Sequence, residues 1–422
     1  MSQAADTVVA SQAGWRHEIT PGAWRALIAA FLGWALDIMD LMLFSFVMVK
    51  IMAEFGLNPG YAGIIAAGAL LAGACGGWFF GMVADRFGRI RSMVFSILLY
   101  SIATFACGLS QGMYDLLLFR VLVGLGMGGE YAAGAALVTE TWPAKYRTRA
   151  MSVVQMGFGF GFLAAGAIAA LVEPAWGWRA VFFVGVLPAI LVFFIRRHTP
   201  ESQLWQKHND ELKARGEKYS AIKSLRSLLS THRKNTIGSL AFITCIMLGY
   251  WALFMWAPAY MAMPVEQGGR GLSIVKSSLW VMLMQSGCIP GFLVFGWLAD
   301  KIKLKPAFAI YTIGNVIIIP IFLMTDNITL MLCTAPFTGF FSALMGGFGP
   351  MLAEMFPTEV RATATGAIYN TARGLSGSAP MIIGGLALSL GVGTALLVAA
   401  LAYALAMVVL FFLPPLKSAE LK

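Results

Sequence analysis

Gly81-Met82-Val83-Ala84-Asp85-Arg86-Phe87-Gly88-Arg89-Ile90-Arg91 is a short polar stretch wedged between two long apolar runs. One acid and three arginines crowd into the seven positions from Asp85 to Arg91, and hydrocarbon-rich sequence resumes at once on either side. Charge confined in this way is the pattern of a tight turn between two membrane-spanning helices. Basic residues alone would anchor such a turn; anchoring needs neither Asp85 nor the glycines at 81 and 88.

The composition supports a membrane reading. The chain has 422 residues, 59% hydrophobic and 12% charged, against about 25% charged in a soluble domain. Twelve apolar runs, each long enough to cross a bilayer as a helix, lie at about 24–49, 60–83, 92–110, 115–138, 150–172, 177–195, 236–262, 277–299, 306–325, 329–352, 363–388 and 392–413. The net charge of +10 follows membrane topology and calls for no nucleic-acid partner. With the N-terminus cytoplasmic, four of the thirty Lys and Arg (Lys50, Arg179, Arg270, Lys276) fall outside and two (Arg120, Arg373) fall within helices, leaving the rest on the cytoplasmic side. That bias places both termini in the cytoplasm. The first 23 residues carry no cleavable signal pattern. The five cysteines sit in apolar runs at no metal-ligand spacing and read as packing residues.

The second half of the chain repeats the first. Gly81-x-x-x-Asp85 recurs as Gly296-x-x-x-Asp300, an offset of 215, and Glu140-x-x-Pro143-x-x-x-Arg147 recurs as Glu354-x-x-Pro357-x-x-x-Arg361, an offset of 214. Two motifs sharing nearly one offset imply duplication of a six-helix unit. The expected organisation is a cytoplasmic tail (1–23), a first six-helix half (24–195), a polar cytoplasmic linker (196–235), a second half (236–413) and a short tail (414–422). The second turn is degraded: Lys301-Ile302-Lys303-Leu304-Lys305 keeps charge but has no counterpart of Gly88 and Arg89. In the second segment Gly68, Ala72 and Gly76 form a small-residue stripe suited to close helix packing.

Charged side chains inside a bilayer are expensive and mark function by default. Five lie well inside the runs: Asp37, Asp40, Arg120, Glu130 and Arg373. Asp37 and Asp40, three apart, share a helix face. Asp40 lies roughly 24 Å from the cytoplasmic start of the first segment and Arg120 roughly 8 Å from the outer start of the fourth. Those depths nearly coincide in a core about 30 Å thick, so the two are expected to pair. A nearby cation favours the ionised carboxylate and loss of water favours the neutral one, so separating the pair would move a proton; a purely structural ion pair is the other reading. Glu130 lies roughly 15 Å beyond Arg120 with no evident basic partner, and is open to being protonated, hydrogen-bonded or a second coupling group.

Arg373 lies roughly 15 Å into the eleventh segment, and segments seven to twelve hold no acid to neutralise it. A buried guanidinium invites an anion, and its planar fork fits a carboxylate; bonding to carbonyls, or reaching Asp37 or Glu130, are the alternatives. Asn370 and Tyr369, a turn earlier, are expected at the same cavity. Tyr250 and Trp251 are candidates for stacking on an organic substrate, with Gln155 and Gln285 as hydrogen-bonding groups, while Trp256 and Tyr260 read as an interfacial aromatic belt. No nucleophile–base set, metal-ligand cluster or phosphate loop appears, so neither enzyme activity nor a cofactor is expected.

The Gly-x-x-x-Asp-Arg-x-Gly-Arg-x-Arg turn at 81–91 closely resembles the loop between helices 2 and 3 of the major facilitator superfamily of secondary transporters. Gly33-x-x-x-Asp37-x-x-Asp40, the glycine run ending at Glu130, and Glu140-x-Trp142-Pro143 look like the sialate and lactate proton symporters. Tyr369-Asn370 and Ser378-Ala379-Pro380 match that pattern too, whereas Arg373 is more like the aromatic-acid and nicotinate transporters. Thr199-Pro200-Glu201-Ser202 resembles a Pro-Glu-Ser segment of sugar and organic-acid transporters, and the fifth segment lacks the Gly-Pro pair of drug–proton antiporters. The resemblance implies an all-α fold of twelve membrane helices in two pseudo-symmetric six-helix bundles. It implies a monomeric, proton-coupled symporter of an organic monocarboxylate in the inner or plasma membrane, working by alternating access, with an uncoupled sugar or polyol facilitator as the alternative. Gly81, Asp85, Arg86, Gly88, Arg89, Glu140, Arg147 and Arg149, with Asp300, Glu354 and Arg361 of the repeat, are the expected cytoplasmic gate.

Overall fold

Local chemistry starts and stops the helices where the turns were expected. The computed structural model describes residues 19–143, 147–201, 206, 210, 230–356 and 358–414. Helix α1 (Pro21–Phe55) opens with the Thr20 hydroxyl accepting the Ala23 N–H and a proline at its first position, and closes on Gly56 at φ 63°. Helix α2 (Pro59–Phe87) repeats the device with Asn58 and Pro59. Helices α3 (Arg89–Cys107) and α4 (Met113–Thr141) follow, the latter opened by the Asp115 carboxylate, which accepts the Gly112 N–H at 2.9 Å. Helix α5 (Arg147–Val184) turns sharply at Gly177 (φ 76°), three residues after Pro174, and α6 (Pro188–His198) ends the first bundle.

The second bundle contains α7 (Arg233–Ala262), α8 (Ile274–Ser286), α9 (Cys288–Ile302), α10 (Leu304–Met324), α11 (Ile328–Ser342), α12 (Phe348–Met355), α13 (Thr358–Ser376), α14 (Ala379–Leu390), α15 (Val392–Ala395) and α16 (Leu397–Phe412). Among the described residues ten stretches are long and apolar enough to cross a membrane, against twelve expected. The fifth and sixth expected segments run together as Val153–Ile190 through the Gly177 bend. The eleventh is absent because its first half, α13, is polar and the helix breaks after Ser376. Most of the 196–235 linker lies outside the described residues.

Small residues set the packing inside the first bundle. Gly124 and Gly128 of α4 lie directly on the α2 backbone at Ala69 and Gly73, while Gly76 of the predicted stripe lies on Leu125 and Gly68 against the Leu117 side chain. The turns bearing Arg86–Arg91 and Lys301–Lys305 mark one end of the molecule, the basic face. Both ends of the described chain lie there: the Trp142 indole donates to Ala23 O at 2.9 Å, and Lys305 Nζ to Leu413 O at 2.6 Å.

The two bundles meet along α2 and α13–α14. Counting from the face opposite the basic one, Pro59 packs on Gly384, Gly63 on Pro380, Leu70 and Leu71 on Gly377, Ala74 on Gly374, and Gly77 on Asn370. The same end is sealed by the Trp256 indole donating to Pro380 O at 3.0 Å, by the Ser45 hydroxyl donating to Met255 O, and by Phe162 against Phe254. Beyond Gly77 the seam stops: among the described residues nothing approaches Gly81, nor Gly296, Gly349 or Gly366. Among the described residues the contacts between the bundles are therefore traced at the face opposite the basic one and down to Gly77.

This geometry corrects the aromatic-belt expectation. Trp256 and Tyr260 are fully buried; Trp256 joins the bundles, and the Tyr260 hydroxyl donates to Leu323 O while accepting from Arg270 at 2.8 Å. Partial burial pulls the Arg270 guanidinium down in pKa, but its bonds to Asp326 and Tyr260 outweigh that and hold it above its ordinary value. The pair pins the 263–273 loop to the end of α10.

Candidate functional site

At the depth where the seam between the bundles ends, three ionisable side chains from three helices converge. Arg373 lies in the last turn of α13, immediately before the break at Gly377, where the negative end of the helix dipole favours a cation. Asp37 comes from α1 and Glu130 from α4, and both lie within Coulombic range of Arg373. Glu130 reaches α1 because Gly33 has no side chain: a Cβ there would run into its carboxyl group. Exposures of 0% for Asp37, 1% for Glu130 and 3% for Arg373 put all three out of bulk water.

Among the described residues, none of the carboxyl oxygens of Asp37 and Glu130 accepts a hydrogen bond from a protein group, and no ion pair within 4.0 Å joins them to Arg373. Three buried, mutually complementary charges without hydrogen-bonding partners are costly in a finished core, and a ligand or proton that completes them is the natural complement. Glu130, which lacked an evident partner in the sequence, shares the field of Arg373 with Asp37.

A small cavity adjoins this cluster, lined by Trp34, Gln155, Phe158, Tyr250, Phe292 and Tyr369 among others. Trp34 and Tyr369 connect the two: both line the cavity, the Arg373 guanidinium sits 5.8 Å from the Trp34 ring centroid, and Tyr369 is one turn before Arg373. Gln155 faces the cavity as expected, and Tyr250 packs edge-on to Phe158 at 5.4 Å. Trp251 sits behind Phe158 at 6.2 Å. Gln285 is fully buried and donates to the Tyr250 hydroxyl at 2.6 Å, so it positions that tyrosine rather than lining the cavity. Asn370 also departs from expectation, donating to Gly366 O at 3.0 Å and lying against Gly77 of α2.

The expected Asp40–Arg120 pair is close but differently made. Arg120 donates to the main-chain carbonyls of Asp40 at 3.4 Å and Leu41 at 3.2 Å and lies 5.0 Å from the Phe44 ring centroid. The Asp40 carboxyl group stays within Coulombic range of Arg120, beside Thr104. Tyr100 of α3, which the sequence reading missed, lies within Coulombic range of Asp37, Asp40 and Glu130, and its hydroxyl has no partner among the described residues. Its signal was available: Ser92, Ser96, Tyr100 and Thr104 repeat every four residues, a polar stripe along one face of an apolar segment. All four are fully buried.

At the basic face, Arg89 donates to Glu140 at 3.0 Å and to Ala84 O at 2.9 Å. The Glu201 carboxylate accepts the Arg89 and Ile90 N–H groups at 3.1 Å each, capping α3. Gly88 supplies the turn at φ 104°. Gly81 and Gly296 have open space beside them among the described residues, Arg86 lies over Phe87 at 5.2 Å, and Glu354 is half-buried. The side chains of Asp85, Arg147, Arg149, Asp300 and Arg361 lie outside the described residues.

Comparison with known proteins agrees with this architecture. The family model of the Major Facilitator Superfamily matches residues 30–379. The sialic acid transporter NanX of Escherichia coli K12 is 30% identical, the match covering 94% of this chain and 95% of the relative. The cis,cis-muconate transport protein of Acinetobacter baylyi is 31% identical, covering 92% and 94%. In fold, a partially occluded inward-open structure of the xylose transporter XylE from E. coli superposes with a TM-score of 0.74 at 18% identity, over 94% of this chain and 98% of that one. The chain belongs to the Major Facilitator Superfamily and is a multi-pass membrane transporter, not an enzyme.

Proposed function

We propose that this member of the Major Facilitator Superfamily is a proton-coupled symporter of small organic carboxylates, working as a single chain in the cytoplasmic membrane. The observation that carries the reading is Arg373: a buried guanidinium with no hydrogen bond among the described residues, beside an aromatic-walled cavity. A substrate carboxylate supplies the two acceptors its fork lacks. The two relatives named above, for sialic acid and cis,cis-muconate, support the carboxylate class. The basic face is the cytoplasmic one by the distribution of Lys and Arg, so the closed end of the seam between the bundles is the outer one. Protons enter the reading through Asp37 and Glu130, the two acids that share the field of Arg373. The Glu201 carboxylate of the Pro200-Glu201 stretch caps α3, a structural role that does not discriminate an acid from a sugar substrate.

The test is uptake into proteoliposomes of a panel containing sialic acid, nicotinate and cis,cis-muconate, with and without an imposed pH gradient, each acid paired with its neutral amide. At least one acid is expected to accumulate in wild type and its amide not. Arg373→Ala should weaken binding of the acid by about 2–5 kcal/mol and of the amide far less. Equal losses for acid and amide would remove Arg373 from the carboxylate site.

A further inference from the structure

The Arg373 cluster contains one cation and two acids, and that imbalance has a consequence for stoichiometry. All three groups are at most 3% exposed, in surroundings where an uncompensated charge is costly. The site therefore favours states in which its charges sum to zero. Without substrate, that state has Arg373 charged, one of Asp37 and Glu130 ionised, and the other protonated. With a monocarboxylate on Arg373, the substrate supplies the negative charge, and both acids must be protonated. The difference between the two neutral states is one substrate anion and one proton.

We propose that the Asp37–Glu130–Arg373 cluster fixes transport at one proton per monocarboxylate, with no net charge moved, and that either acid can carry the proton. The inference rests on the carboxylate reading above and adds its stoichiometry and its shared proton site. Both acids qualify because both lie in the field of the same guanidinium and, among the described residues, neither carboxyl group has a hydrogen bond to hold it ionised. Tyr100 on α3 and Tyr369 on α13 are the neutral titratable groups against the cluster, and Tyr100 lies within range of both acids. Beyond these, Asp40 lies within Coulombic range of Asp37 and is matched in charge by Arg120, while its carboxyl oxygens too accept no hydrogen bond among the described residues. Arg120 is held by two main-chain carbonyls and an aromatic face, and neither residue lines the cavity. That pair stays balanced through the cycle and contributes no transported proton.

The balance gives a non-additive signature. In Asp37→Asn the remaining Glu130 takes up and releases the proton, and in Glu130→Gln the remaining Asp37 does so. Only the double variant has no acid left, so it should carry the bare anion. The experiment measures pH-driven accumulation and transport current on proteoliposomes, using the monocarboxylate of the panel (sialic acid or nicotinate) that wild type accumulates. Wild type and both single variants are expected to accumulate substrate without current, at rates reduced several-fold in the variants. The double variant should lose pH-driven accumulation, keep substrate exchange, and show an inward negative current that is insensitive to pH. Asp40→Asn should retain proton coupling. A current in wild type would overturn the 1:1 balance, loss of coupling in either single variant would assign the proton to that acid alone, and loss in Asp40→Asn would move it to the second pair. Failure of wild type to accumulate any acid would instead overturn the carboxylate reading. Exchange by each variant shows that it is folded.

Discussion

Arg120 and Arg373 are both buried cations inside the membrane region, yet the fold treats them in opposite ways. Arg120 is 0% exposed, with its two terminal nitrogens on α1 carbonyls, its Nε unbonded among the described residues, its face on Phe44 and an acid close by. Arg373 is 3% exposed and its guanidinium makes no hydrogen bond among the described residues, with two acids nearby whose carboxyl groups have none either. Burial is equal, so burial cannot tell a structural charge from a functional one. Satisfaction can: Arg120 clamps α4 to α1, while Arg373 is left with bonds still to make.

Swapping each arginine for a shape-filling apolar residue should break the symmetry most strongly. Arg120→Met leaves two carbonyls and the Asp40 carboxyl group without their cation, and should cost about 3–5 kcal/mol. Arg373→Met removes a charge that had no hydrogen bonds to lose, and its acids can take up protons, so stability should change by less than about 1 kcal/mol. Thermal unfolding of detergent-purified variants reads both. Comparable losses would erase the distinction between the two cations.

A second comparison concerns the repeated turns. Gly88 sits at φ 104°, ψ 156°, and Lys303, its counterpart at the 215 offset, sits at φ 74°, ψ 162°. The duplication kept the bent backbone after the glycine was gone, and a lysine now occupies a region that suits glycine. Gly88→Ala should therefore cost about 1–3 kcal/mol, whereas Lys303→Gly should gain about 1 kcal/mol. Loss of stability in Lys303→Gly would mean that contacts of the lysine outweigh the backbone strain.

The smallest expected effect concerns what the first turn has and the second lacks. Arg89 braces α3 against α4 through Glu140, but its counterpart at the same offset is Leu304. The Arg89–Glu140 pair is partly exposed, at 12% and 22%, so Glu140→Gln should cost only about 0.5–1 kcal/mol. Because the pair lies within one bundle, that loss should appear in thermal unfolding while the apparent affinity for substrate stays unchanged. A shift in affinity would make the pair part of the gate between bundles.

The sequence alone determined the membrane class, the duplication and the family, since apolar length, charge placement and motif spacing are properties of the chain read in order. It also singled out Asp37, Asp40, Arg120, Glu130 and Arg373, all of which the structure buries, because a charge in an apolar run stands out wherever it lies. It merged poorly with the structure at α13, where a polar helix is tolerated because it lines the space between bundles, and at Trp256 and Tyr260, whose depth depends on what packs over them. Which charge meets which was decided only by tertiary structure. Glu130 and Arg373 are 243 positions apart and share a site because Gly33 on a third helix leaves room for the Glu130 carboxyl group. Arg120 turned to carbonyls rather than to the Asp40 side chain because main-chain acceptors were nearer its fork. Side-chain pairing depends on where backbones pass within a few ångströms of one another, and that distance is a property of the packed bundles rather than of any one segment.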